Sequence, residues 1–541
     1  MPRIGHPARR ARARTWGAAV LAAALAATLP VGAGPAGADV RAGSTPGRAD
    51  WPSAGQNNHN TRHAAAEHLL TPANVGRLKP KWALTTAGDV SATPAVVDGV
   101  VYAPDWGGRL WAVDARTGTP VWSRAVSDYT GVTGDASRTS PAYWRGRLYL
   151  GTGVLAQGSG PATTPGKGAQ VVSVDARTGE RVWTAVVDPD PVAIITGAPT
   201  VEDGVLYVGV SSKASITEGP MTFRGSVVAL DAHTGRLLWR TRTVPEGYTG
   251  GAVWGSQPVV DRRRGLVYVG TGQNYSVPAG VCETPTQSGC VPPSPDDHFD
   301  SILGLDLRTG ALRWATPTLT ADTWTIFQPD RGPDFDFGAG PNLYRTTIGG
   351  KSTELLGIGQ KSGVYWAVDP STGRVVWRTQ AGPGGPLGGI QWGTSTDGKR
   401  IYAGIGNGNH LPWTLKAADG STSTTTGGGF VALDAATGEI EWQVADPQAA
   451  TGDWLDDAFV SSANGIVFAG SSAPSGTNMY ALDAATGLVR WSFAAGGSVF
   501  GGAAVVDGSV YWGSGYYYAN VCPAGCPGHN NKLYAFSIDG R

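Results

Sequence analysis

The stretch RLWAVDARTGTPVW, Arg109 to Trp122, runs apolar from Leu110 to Val113 and reaches Asp114. It then turns through Ala-Arg-Thr-Gly and resumes as a run that ends on Trp122. A short apolar run bounded by turn residues is the pattern of a buried strand. Asp followed by Thr-Gly is turn chemistry, because the carboxylate accepts backbone N–H groups two or three residues on and glycine supplies the positive φ that closes the turn. The stretch therefore reads as a β-hairpin, with Asp114 as its turn-maker and not a reactive group.

The unit recurs. Asp175, Asp231, Asp306, Asp369, Asp434 and Asp483 begin the same turn, and the strands that follow end on Trp183, Trp239, Trp314, Trp377, Trp442 and Trp491. A second hairpin pattern precedes each unit, from SATPAVVDGVVYAP (Ser91–Pro104) to GGAAVVDGSVYWGSG (Gly501–Gly515). Two hairpins make one four-stranded propeller blade. The second pattern occurs eight times and the first seven, so one blade is short of a strand. KLYAFSIDG (Lys532–Gly540) supplies a third strand without a fourth, whereas LKPKWAL (Leu78–Leu84) is an orphan with Trp82 where a blade's last Trp belongs. Pairing them closes the ring and leaves no open seam between the first and last blades. The sequence predicts an all-β fold: an eight-bladed β-propeller of four-stranded antiparallel blades, one domain over residues 39–541.

Composition agrees. The 541 residues include 80 Gly and 20 Trp, as many short strands and tight turns require. The 42 basic and 42 acidic residues leave no positive excess to neutralise phosphates, which argues against a nucleic-acid partner. RRARAR (Arg9–Arg14), an Ala-rich apolar core and AGA (Ala36–Ala38) read as a signal peptide over residues 1–38, cleaved before Asp39. The mature chain is then expected to be secreted, with no stable membrane insertion. Arg9-Arg10 leaves the twin-arginine route open beside the general one. The four cysteines form two local pairs, Cys282/Cys290 and Cys522/Cys526, read as short-loop disulfides, with zinc beside His298 or His529 as the alternative. The chain has neither a Cys-x-x-Cys-His haem site nor a Gly-x-Ser-x-Gly nucleophile elbow.

Six segments break the repeat with polar or charged residues at a strand end: GVTGDASRTSP (131–141), VSSKASITEGPMTFRG (210–225), GAVWG (251–255), GTGQNYSVP (270–278), PDFDFGAGP (333–341) and GQKSG (359–363). With DWPSAGQNNHNTRHAAAEHLLTPANVGRLKPKW (Asp50–Trp82) and the closing NNKLYAFS, they make the chain resemble the quinoprotein dehydrogenases, and their polyvinyl alcohol dehydrogenase branch in particular. The resemblance implies pyrroloquinoline quinone (PQQ) and Ca2+ on the propeller axis. It assigns Glu218, Asn274 and Asp336 to the calcium, and Asp336, with Asp334 as neighbour, to proton abstraction. Lys361 falls beside the quinone oxygens, and Arg138, Thr196 and Trp254 fall on the cofactor, Trp254 as its stacking partner. The chain departs from the family where two adjacent cysteines usually cover the cofactor, for Val132-Thr133 stands there. The expected substrate is a secondary or polymeric alcohol, and the expected electron acceptor is external, such as a cytochrome c. The alternative is a non-catalytic extracellular propeller that binds or scaffolds a partner.

Overall fold

The computed structural model describes residues 46–541 except 48, 156, 158–166, 220, 256, 329, 450–454 and 518–527. The signal peptide and the Cys522/Cys526 pair lie outside the described residues. The described residues belong to one compact unit, Ala38–Arg541.

The hairpin that opens the sequence reading is the outer half of blade 1, whose strands are Ala95–Val97, Val100–Pro104, Arg109–Asp114 and Pro120–Ala125, in that order across the sheet. Six further blades follow within residues 142–188, 200–242, 259–317, 342–380, 395–445 and 461–493. Blade 8 takes three strands from residues 504–538 and its fourth from Leu78–Thr85, which pairs antiparallel with Lys532–Ile538. The eight-bladed ring is thus closed by its N-terminal strand.

The repeated residues make the seams between blades. Asp114 Oδ1 accepts hydrogen bonds from Arg116 N–H (3.0 Å), Thr117 N–H (2.8 Å) and Thr117 Oγ1 (2.9 Å). Trp122 Nε1 reaches across the seam to donate to Ala176 O at 3.0 Å, beside the equivalent turn of blade 2. The turn glycine receives the preceding blade's indole: a Cβ on Gly118, whose φ is +74°, would lie 2.7 Å from the Trp82 ring. Glycine is needed there for its backbone angle and again for the contact. The closing seam is built like the rest, with Trp491 donating to Leu78 O (2.9 Å) and Trp82 to Ala115 O (3.0 Å).

One feature escapes the repeat. Residues 51–67 run as a strap past all eight blades in chain order. Trp51 N donates to Val96 O (2.8 Å), Tyr143 N to Pro52 O (2.7 Å) and Asn58 Nδ2 to Val201 O (2.7 Å). The series continues with Val260 N to Asn58 O (3.0 Å), Leu343 N to His59 O (2.9 Å) and Thr396 N to Thr61 O (2.9 Å). It ends with Ala64 N to Ser462 O (2.9 Å) and Gly508 N to Glu67 Oε2 (2.8 Å). Arg62 of the strap is wholly buried over the Phe459 ring, 4.2 Å from its centroid, and burial lowers its pKa to about 9.

Candidate active site on the propeller axis

Each blade begins with its inner strand, and residues just before several of these strands border one cavity. Ser91, Arg138, Thr196 and Phe500 each stand four positions before an inner strand, those starting at Ala95, Ala142, Thr200 and Ala504. With Trp392, Phe459 and Tyr516 they border an axial cavity of about 400 Å³, a volume that includes solvent at its mouth. Ala54 of the strap also borders it.

The cavity wall is aromatic. Trp254 and Trp392 meet edge to face at 5.2 Å, Phe459 lies 5.7 Å from Trp392, and Phe500 lies 4.5 Å from Tyr516. Arg138 is the cation on this wall. Its guanidinium lies 4.9 Å from the Trp392 ring centroid and donates to Tyr516 OH at 2.8 Å. Thr196 Oγ1 donates to Trp254 O (2.7 Å), which ties blade 3 to the segment that carries the indole.

Behind Trp254 lies a buried charged group. Its Nε1 donates to Asp336 Oδ2 at 2.5 Å. Lys361 Nζ is 2.8 Å from Asp336 Oδ1, 3.2 Å from Asp334 Oδ2 and 5.2 Å from the Trp254 ring centroid. All three charged residues are under a tenth exposed. Burial alone would lower the Lys361 pKa, but the Asp334 and Asp336 carboxylates hold it well above the usual lysine range. Burial pushes Asp334 up despite the ammonium beside it. Lys361 occupies the turn between the second and third strands of blade 5, and Asp334 and Asp336 precede that blade's first strand, so one blade presents both signs of charge.

Asn274 sits on the neighbouring ledge. It is 1 % exposed, its Nδ2 donates to Asp297 Oδ2 (2.7 Å), and it bridges to Thr323 in parallel register. Burial raises Asp297 to about 7, opposed by the Asn274 amide. Asn274 Oδ1, Asp297 Oδ1, Thr323 Oγ1 and Asp334 Oδ1 are buried with no hydrogen-bond partner. Among the described residues, no three His, Cys, Asp or Glu side chains are already gathered around one point as metal ligands.

The structure therefore brings Arg138, Thr196, Trp254, Asp336, Lys361 and Asn274 into one connected region. Glu218 stands apart as an exposed residue of the loop 217–219. Val132 is half-buried and Thr133 exposed, just after the helix Val126–Thr130. Cys282 and Cys290 form a disulfide, which removes the zinc alternative for that pair. Their loop braces the ledge, since Glu283 O accepts Thr323 N–H at 2.9 Å. Trp392, Phe459, Phe500 and Asp457 lie outside the six segments that break the repeat. Asp457 is wholly buried, and burial raises it to about 7 against the opposing charge of Lys361.

A family model described as glucose/ethanol/alcohol dehydrogenase, β-propeller domain, matches residues 51–384. A second, described as outer membrane protein assembly factor BamB, matches residues 360–498 and 427–539. The chain belongs to the first of these families, the PQQ-dependent quinoprotein alcohol dehydrogenases, and is an oxidoreductase of that type. Within the family it is similar to the polyvinylalcohol dehydrogenase of Sphingopyxis sp. (strain 113P3), with 30 % identity over 87 % of this chain and 74 % of that one. The quinohemoprotein alcohol dehydrogenase of Comamonas testosteroni is 26 % identical over 60 % of this chain and 46 % of its own. The solved quinohemoprotein alcohol dehydrogenase ADHIIG of Pseudomonas putida HK5 shares the fold, with a TM-score of 0.68 at 21 % identity over 91 % of this chain and 81 % of that one.

Proposed function

We propose that the axial cavity binds PQQ together with calcium, and that the exported chain oxidises secondary or polymeric alcohols and passes the electrons to an external acceptor such as a cytochrome c. The observation that carries this reading is the continuity between an aromatic, arginine-bearing cavity and the buried Asp334–Asp336–Lys361 group, joined through Trp254. The polymeric substrate is supported by the 30 % identity to a polyvinylalcohol dehydrogenase.

The residues present fit both groups. PQQ is a flat aromatic tricarboxylate, and the cavity offers the Trp392 indole, the rings of Phe459, Phe500 and Tyr516, and the Arg138 cation. Calcium takes hard oxygen donors, and Asn274 Oδ1 and the Asp334–Asp336 carboxylates present buried oxygens, several without a hydrogen-bond partner. Asn274 and Asp336 would hold the ion. Glu218 is assigned to it by resemblance alone.

When bound, the quinone supplies the two-electron acceptor for the alcohol. Asp336, its oxygens aimed by Trp254 Nε1 and Lys361 Nζ, takes the hydroxyl proton as general base. Lys361 places a fixed positive charge beside the developing negative charge, where little water screens it. Arg138 pairs with a ligand carboxylate, and Trp392, Phe459 and Phe500 exclude water from the cavity.

Calorimetric titration of the folded chain with PQQ, with and without calcium, tests the reading. Calcium-dependent binding that Asn274→Ala weakens is expected. A dye-linked assay on secondary alcohols and on polyvinyl alcohol should then show turnover. A folded propeller that takes up no PQQ would overturn the proposal.

A further inference from the structure

Asp322 lies outside every segment that the sequence reading singles out, yet it touches both halves of the site. It is wholly buried. Its backbone oxygen accepts Asn274 N–H at 3.0 Å, and Trp324 N–H, two residues on, donates to Asn274 O at 2.9 Å. Its carboxylate accepts Phe335 N–H at 2.9 Å and Asp334 N–H at 3.3 Å. Asp334 has φ +58°, a left-handed angle that is costly for a residue with a side chain. Two successive backbone N–H groups around such a residue form a concave anion-binding nest, and the Asp322 carboxylate fills it. The chain also leaves room for this contact at Gly332, where a Cβ would fall 2.1 Å from Asp322 Oδ1.

We propose that Asp322 is the positioning residue of the site, its carboxylate seated in the nest of Asp334 and Phe335 while its backbone carries Asn274. One residue then sets the distance between the amide ledge and the Asp334–Asp336 loop. Asp322 is wholly buried and acts through the loop. The αL angle at Asp334 turns that side chain and Asp336 to the same ammonium, and the anion in the nest satisfies the two backbone N–H groups that this angle exposes. The role of Asp322 in cofactor binding rests on the quinone reading above, whereas its hold on the loop does not.

The test is a pair of variants, Asp322→Asn and Asp322→Ala, each compared with the wild type in two ways. Crystal structures should show the Asp334–Asp336 loop displaced in Asp322→Ala and partly restored in Asp322→Asn, which keeps one acceptor oxygen. Titration with PQQ in calcium should show the Kd raised tenfold or more in Asp322→Ala and less in Asp322→Asn, and kcat should fall more than KM rises. Loops unchanged in both variants, or a Kd within twofold of wild type in both, would overturn the proposal. A wild-type chain that binds no PQQ would overturn the quinone reading instead, and the crystal structures would still decide whether Asp322 holds the loop.

Discussion

The seams between blades and the axial face are made by the same strands and obey opposite rules. At the seams the blades do nearly the same thing. Seven turns cap their Asp with their own Thr-Gly segment, and at all but one seam the last Trp donates to a carbonyl of the next blade. On the axis the blades differ, and the residues two to six positions before the inner strands include Ser91, Arg138, Thr196, Trp254, Asp336, Trp392, Phe459 and Phe500. Repetition suits a seam, because like contacts from blade to blade let a ring close. Function needs unlike groups facing one another, and a propeller supplies that wherever its repeat is allowed to lapse.

The contrast can be broken first at its most charged point. Lys361→Ala leaves two buried carboxylates without their cation and should destabilise the fold by about 3–5 kcal/mol. Denaturant unfolding would read this, and dye-linked turnover should be lost with it. At the seams, Trp442→Ala removes a wholly buried indole and should cost about 3–5 kcal/mol, while PQQ affinity in whatever remains folded stays within a few-fold. A large loss of affinity with an intact ring would mean that seam and axis are coupled.

Asp457 sharpens the comparison through pH. Its folded pKa of about 7 lies above the ordinary aspartate value of about 3.9, so the native chain keeps a proton that the unfolded chain has released across that window. Stability from this group is fully present below about pH 4 and is lost as the pH rises to 7. Asp457→Asn should therefore match the wild type near pH 4 and exceed it above pH 7, by at most about 4 kcal/mol. Unfolding curves at the two pH values decide it, and a difference independent of pH would refute the assignment.

Smaller effects follow. Gly118→Ala combines a left-handed backbone angle with a clash on the Trp82 ring and should lower stability by about 1–3 kcal/mol. Arg138→Gln should leave stability within about 0.5 kcal/mol, since its side chain is only half-buried, and weaken PQQ binding about tenfold by removing one charge-assisted bond. Thermal unfolding measures the first and calorimetry the second.

Repetition also explains what could be read from the sequence. Asp114 and Trp122 announce themselves because they recur, and the missing fourth strand of blade 8 could be counted out and found at Trp82. The axial residues were legible only where they carry an unusual group: Asp334 and Asp336 side by side, Lys361 in a turn, Arg138 before a strand. Trp392, Phe459 and Phe500 were hidden among ordinary aromatics, although their places just before an inner strand would have flagged them once the eight copies were aligned. Asp322 and Asp457 could not be read at all, for their significance lies in what they touch across the fold. The strap was hidden for the same reason, since most of its contacts are backbone hydrogen bonds that no side-chain pattern records.

The ring closure has a bearing on how the molecule comes to exist. The strand Leu78–Thr85 is synthesised near the start of the chain, and its partner Lys532–Ile538 is completed only near the end. Joining ends so far apart in the chain costs about 5 kcal/mol in closure entropy. Until Lys532–Ile538 is in place, Leu78–Thr85 is a strand without its mate, whichever of the other blades have formed. Closing the circle is therefore a late step that no single blade can complete by itself.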